Sequence, residues 1–375
     1  MNKRLCRAGV AALLAVLAPI AAAAPEYFST APAGSKYARA LALNNQGHFA
    51  VNSYGPETPY QGAGISRWPF GESVGGLGGY VTQIRALNDL DEAVGISTTA
   101  TGEAHSFFYS DGRMVDLTAR YGLQDVRDIN NRGEIAARSA DFRAAVLRDG
   151  VVQVLEPDNS GSGDINERGE MLVGYYDYDN GYVPRTAVYS DGILSDLPLA
   201  GGRPVVGQAI NDAGWVTGYF TGANGRTHAF LWDGGTFTNL TPWAANSFGY
   251  DINNLGQVVG VTDGRPFLYA DGELIDPNSL IDPNADLLLI TADEINDHGQ
   301  ILAHSCDRAG VFCYGSTLLT PVPGVPEPSA IGMLLAGLGL AGAHRLRRSI
   351  ARRGTGTASA SRAGETVAVA LRRPA

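Results

Sequence analysis

Three stretches carry oxygen-rich side chains at a spacing that could hold a cation: Asp128-Ile129-Asn130-Asn131-Arg132-Gly133, Asp164-Ile165-Asn166-Glu167-Arg168-Gly169 and Asp251-Ile252-Asn253-Asn254-Leu255-Gly256. They match the front half of a calcium loop, Asp-x-Asn-x-Asp-Gly. The fifth position, however, is Arg132, Arg168 or Leu255 where an oxygen is needed. The twelfth is Ser139, Tyr175 or Thr262 where a bidentate acid belongs. The expected role is a strand-to-strand turn, with Asn as its cap and Gly at its left-handed corner. Asp177 and Asp179, followed by Asn180, make a better isolated calcium candidate, set against the plainer reading of a solvated acidic loop. No metal or other cofactor is expected.

Other chemistry is sparse. The sequence has no Gly-x-Ser-x-Gly elbow, His-Glu-x-x-His helix, phosphate loop or dinucleotide fingerprint, so hydrolase and oxidoreductase readings lack a starting point. His105 and His228 occupy equivalent places in two repeats, which points to a strand-end hydrogen bond rather than a unique catalytic group. His298 and His304 are expected in surface loops. Carboxylate pairs for sugar cleavage stay open in a body this acidic, because their spacing across the fold cannot be read from sequence. Tyr109, Tyr189, Trp232 and Tyr269 recur in register and are expected to pack between repeats, with exposed copies able to stack on sugars.

The elements that would position these groups come from a repeat. Asparagines at 44, 88, 130, 166, 211, 253 and 296 each follow Leu or Ile and precede a Gly three positions on, except that Asp91 stands in the second copy. Their spacings of 44, 42, 36, 45, 42 and 43 average 42 residues. An apolar strand follows each mark, then an aromatic strand, an Asp-Gly hairpin signal such as Asp111-Gly112 or Asp191-Gly192, and a short closing strand. Four antiparallel strands repeated at this period predict propeller blades, because helical repeats would place apolar residues three and four apart. Seven such units need 294 residues, which Tyr27 to Thr320 supplies. The expected fold is therefore an all-β, seven-bladed propeller over 25–320, with Tyr27-Phe28-Ser29 completing the last blade and leaving no free sheet edge. Gly95, Gly218, Gly260 and Ala303, seven positions after their asparagines, are expected on inner strands that crowd the axis.

Composition agrees. The chain holds 48 Gly among 375 residues, about twice the usual ~7%, which disfavours long helices. Between Pro25 and Ala343 there are 17 basic and 37 acidic residues, a formal charge of −20, the wrong sign for a nucleic-acid binder.

The repeat as a whole, Ile-Asn-x-x-Gly, then Val-Val-Gly, then His-Ala-Phe-Leu-Trp, resembles the extracellular HAF-repeat proteins. It is clearest in Ile210 to Gly214 with His228-Ala229-Phe230-Leu231-Trp232. That resemblance implies a repeat and an exported location, not a particular reaction.

Both ends read as addresses. Residues 1–24 run from Lys3-Arg4 through an apolar stretch to Ala21-Ala22-Ala23-Ala24, the order of a secretory signal peptide. Cys6 would leave with it. Cys306 and Cys313 then remain in an oxidising compartment as a disulfide candidate. A Pro-rich linker and motif fill 321–328, ending in Val325-Pro326-Glu327-Pro328. A short apolar helix with an Arg cluster is expected over 329–348, and a disordered tail over 349–375. Thirteen apolar residues from Ile331 to Ala343 span about 20 Å as helix, short of the ~30 Å hydrocarbon core. Arg345, Arg347 and Arg348 would stay on the cytoplasmic side. This order of motif, helix and basic cluster resembles the PEP-CTERM sorting signal of exported proteins in Gram-negative, exopolysaccharide-producing bacteria. The resemblance implies processing by an exosortase-type membrane enzyme after transient anchoring in the inner membrane. The tail beyond Arg348 departs from the usual signal, which ends near its basic cluster.

The expected function is a noncatalytic one at the cell surface or in the extracellular matrix, binding polysaccharide or surface proteins through loops at one face of the ring. The alternative is a secreted polysaccharide lyase or glycosidase. Carboxylates converging with a His or Tyr at the axial mouth would favour the enzyme, whereas a channel of repeat-equivalent small and apolar residues would favour the binding scaffold.

Overall fold

The computed structural model describes residues 27–30, 38–53, 61–67, 70–179, 181–310, 313 and 315–322. Its strands form seven four-stranded antiparallel sheets, the blades of a propeller. Six are built from consecutive strands, in 38–73, 78–116, 123–154, 161–196, 205–239 and 247–275. The seventh takes three strands from 288–321 and its outermost one from Tyr27–Thr30, with Tyr27 opposite Pro321 and Thr30 opposite Leu318. Sharing one sheet between the two ends of the body closes the ring, because the last blade then has the same four strands as the rest. The signal peptide, the motif from Val325 to Pro328, the Arg cluster and the tail lie outside the described residues.

Local chemistry sets the turns. At the seven corners after the asparagines, six glycines have φ between +71° and +79°, and Asp91 takes φ +58° in the second copy. Asp91 is held there by Asn44 Nδ2 at 3.1 Å and His48 Nδ1 at 2.9 Å. The Asp-Gly pairs at 111, 149, 191 and 271 have positive φ at both residues, the turn whose twist suits an antiparallel hairpin. In the fifth blade Gly235 lengthens that turn, so Asp233 instead accepts the N–H groups of Gly235 and Thr236.

The core lies between neighbouring blades. Ala86 and Val94 of the second blade, for example, pack with Leu123, Val126, Ile129 and Leu147 of the third. Phe107, Phe230 and Phe267, each on a third strand, are fully buried. Gly95, Gly218 and Gly260 sit on second strands rather than at the axis, and their smallness has a different cause from axial crowding. The innermost strand of each blade carries a bulge that pushes a carbonyl toward them. A Cβ at any of the three would come within 2.0 Å of that oxygen.

Candidate functional site

Strand direction gives the ring two unlike faces. Each innermost strand runs toward its Asn turn, so the Asn and Asp-Gly turns share one face, the turn face. The hairpins between second and third strands and the blade-to-blade connections share the opposite one, the loop face.

On the turn face the seven asparagines do more than cap their turns. Each Oδ1 accepts the N–H groups two and four residues on, as Asn211 does from Ala213 and Trp215 at 3.0 and 2.9 Å. Each Nδ2 donates to the backbone carbonyl of the next blade's asparagine, from 44 to 88, 130, 166, 211, 253, 296 and back to 44, at 2.9–3.1 Å. The following residue makes a second circle. The backbone N–H at 45, 89, 131, 167, 212, 254 and 297 meets the side-chain oxygen of the next member at 2.7–2.9 Å. In this circle Asn mostly separates the acids, but an odd number cannot alternate, and Glu167 and Asp212 are adjacent. Burial, with Asp212 and Asp89 adding, holds Glu167 above the ordinary carboxylic range despite the Asn131 N–H it accepts.

Two positions before the asparagines a third tier faces the axial channel, a cavity of about 600 Å³. Blades one, two and five place Ala42, Ala86 and Ala209 there; the others place Asp128, Asp164, Asp251 and Glu294. The small-and-apolar lining expected for a binding scaffold is thus met in only three blades. The four acids still bridge blades. Asp128 accepts Ile165 N–H at 2.8 Å, Asp164 accepts Ile210 N–H at 2.7 Å, Asp251 accepts Ile295 N–H at 2.7 Å, and Glu294 accepts from the Ala42 backbone. Burial raises all four pKa values. Asp251 is pushed up to about 7, and Asp164 is raised well above the usual carboxylic range by burial and by Asp128, to which it hydrogen-bonds. Tyr250, Arg85 and Arg127 line the channel beyond them, with Asp125 bridging the two arginines at 2.7 and 2.9 Å. The acids do not fold around the turns that follow them. Among the described residues no three His, Cys, Asp or Glu side chains converge enough to ligate one cation.

The remaining candidates are dispersed. Asp177 faces Arg185 at 3.4 Å on the fourth blade's long hairpin, and Asp179 is exposed at its tip. Cys306 and Cys313 are joined, Sγ to Sγ, at 2.07 Å. His105 bonds Asp116 at 2.7 Å and His228 bonds the Thr241 carbonyl at 2.8 Å, both tying a third strand to the end of a fourth. His298 is exposed in a turn, but His304 lies within a second strand, half-buried beside Asp293 at 3.3 Å, because the strand extends through Cys306. Tyr109 and Tyr189 are buried, and Trp232 and Tyr269 pack between blades.

Sequence reasoning missed the exposed aromatic residues. Among the described residues these are Tyr80, Phe142, Tyr176, Tyr178, Tyr182 and Trp243, and every one lies on the loop face, at the start of an innermost strand, on a hairpin or on a connection.

Comparisons with known proteins add an address and a fold. Residues 324–348 match the PEP-CTERM protein-sorting motif, so the chain carries the signal of an exported, exosortase-processed protein that is transiently anchored in the membrane. None of the curated proteins matches significantly. Among solved structures, YCF48 bound to D1 peptide is similar over 82% of this chain and 98% of its own, at 11% identity and a TM-score of 0.52. TolB from Acinetobacter baumannii is similar over 74% and 64%, at 13% identity and a TM-score of 0.44. A Pyrococcus horikoshii acylaminoacyl peptidase is similar over 72% of this chain, which spans about half (49%) of the peptidase, at 12% identity and a TM-score of 0.48. At such identities the likeness is one of fold.

Proposed function

We propose that this exported propeller acts noncatalytically at the cell surface or in the extracellular matrix, binding polysaccharide or surface proteins through its loop face. The carrying observation is the segregation of exposed aromatic side chains to that face. Aromatic rings left in water mark recognition surfaces, since each forgoes the stabilisation that burial would give it. The turn face reads differently: its asparagines and channel acids sit at repeat-equivalent positions and are engaged in cross-blade hydrogen bonds. Binding of the secreted protein to a glycan array, with and without calcium, tests this reading. Binding that loop-face substitutions reduce supports it; binding abolished by channel substitutions in a still-folded protein contradicts it.

One observation favours a second reading, a secreted polysaccharide lyase or glycosidase. Asp251, pushed up to about 7, with Asp164 raised beside it and Tyr250 in the same channel, offers an acid for sugar cleavage. Release of new reducing ends from a polysaccharide, lost in Asp164→Asn, would establish that reading in place of the first.

A further inference from the structure

Among the described residues, the loop face holds one cluster in which exposed rings contact one another. On the second-to-third-strand hairpin of the fourth blade, Tyr176 stacks on Tyr182 with centroids 4.7 Å apart and planes 19° from parallel. Tyr178 meets Tyr182 edge-on at 5.2 Å. Tyr176 lies opposite Pro184 in the strand register, so the exposed proline ring extends the same surface. From the neighbouring connection, Asn159 donates its amide to the Tyr178 hydroxyl at 3.1 Å and anchors the cluster to the third blade's end. Tyr182 holds this place with φ +63°, a left-handed backbone that costs a bulky residue where glycine would be at ease. What this strained, exposed tyrosine next to Gly181 brings is its ring, set against Tyr176 and Tyr178.

We infer that the Tyr176–Tyr178–Tyr182 platform is a binding site for neutral pyranose units of a polysaccharide. This inference rests on the loop-face reading and deepens it. The C–H face of a pyranose ring fits against exposed tyrosine faces, while the phenol hydroxyls and the Asn159 amide serve the equatorial hydroxyls as donors and acceptors. Charge selects among sugars. The charged groups around the platform are Asp177, paired with Arg185 at 3.4 Å, exposed Asp179, and Asp158 paired with Arg143 at 3.4 Å, three acids against two bases, and the body carries −20, so uronate or sulfated polymers are disfavoured.

The test uses the full secreted protein and titrates it with cellohexaose, laminarihexaose and mannohexaose, with polygalacturonate and a polyproline peptide as competitors. Three variants separate binding from folding: Tyr182→Gly relieves the left-handed strain while removing the ring, Tyr176→Ala removes its stacking partner, and Trp243→Ala removes a loop-face ring elsewhere. The expected result is binding of at least one neutral hexasaccharide, weakened about tenfold or more in Tyr182→Gly and in Tyr176→Ala, with the melting midpoint held and Trp243→Ala unchanged. Hexasaccharide binding that survives both tyrosine variants but fails in Trp243→Ala overturns this site and leaves the loop-face reading standing. Preference for polygalacturonate or polyproline overturns the ligand class, and binding of none of these probes overturns the inference outright.

Discussion

The two faces of the ring are built on opposite principles. On the turn face, every blade contributes the same asparagine to the same bond, and the circle from Asn44 to Asn296 and back has no gap. On the loop face the described hairpins differ from blade to blade; the fourth has three tyrosines where the fifth has Asn224-Gly225. Repetition serves closure, because a bond that joins each blade to the next must be made seven times to seal the circle. Recognition needs no such symmetry, and the positions free of the closure duty are the ones that carry exposed aromatic rings.

That contrast breaks first, if it breaks, at the asparagines. Asn211→Ala removes one cross-blade bond and two turn bonds from a buried site and takes the acceptor from the Ala213 and Trp215 N–H groups, so urea unfolding should show a loss of about 3–4 kcal/mol. Tyr178→Ala on the loop face should stay within about 0.5 kcal/mol of the parent. Equal losses would dissolve the distinction.

Next in size is a pH effect confined to the turn-face channel. A carboxyl group with a raised pKa binds its proton more tightly in the folded state. Its stabilising contribution is therefore fully present below the unfolded pKa and lost as pH rises through the folded one. For Asp251 that window runs from 3.8 to about 7. Unfolding free energy should fall by about 2 kcal/mol between pH 5 and pH 8, the reverse of ordinary acid denaturation. Asp164→Asn, which removes one of the charges that raise Asp251, should flatten that slope and be more stable than the parent at pH 8.

Smaller effects sharpen the comparison. Tyr182→Gly should stay within about 0.5 kcal/mol of the parent, measured by thermal melting, since relief of the left-handed backbone offsets the two lost ring contacts. Glu167→Gln should gain about 0.5 kcal/mol in urea, by ending the one place in the second circle where two acids are neighbours.

The propeller itself is legible in the chain, because the forces that shape each blade are local. The left-handed corners, the Asp-Gly hairpins and the alternation of strand and turn all lie within 42 residues of one another. The cross-blade bonds are not, since Asn44 Nδ2 and the carbonyl it meets are 44 residues apart and nothing in a single copy marks the partner. Asp128 and Asp164 were visible as residue types beside their asparagines, but only the bulge, which re-aims the side chain toward the axis, makes them channel groups instead of turn ligands. The recurring aromatics drew attention by their register and became packing, as Tyr109 and Tyr189 show; Tyr176, Tyr178 and Tyr182 fall outside the register and carried no signal.

Hydrogen–deuterium exchange with a bound neutral hexasaccharide tests the division of labour most directly. The prediction is protection of the hairpin over 175–185 and the connection over 156–160, with the Asn turns already slow to exchange and unchanged by ligand. Protection that appears at the Asn turns or along the channel strands, with the hairpin unaffected, would contradict it.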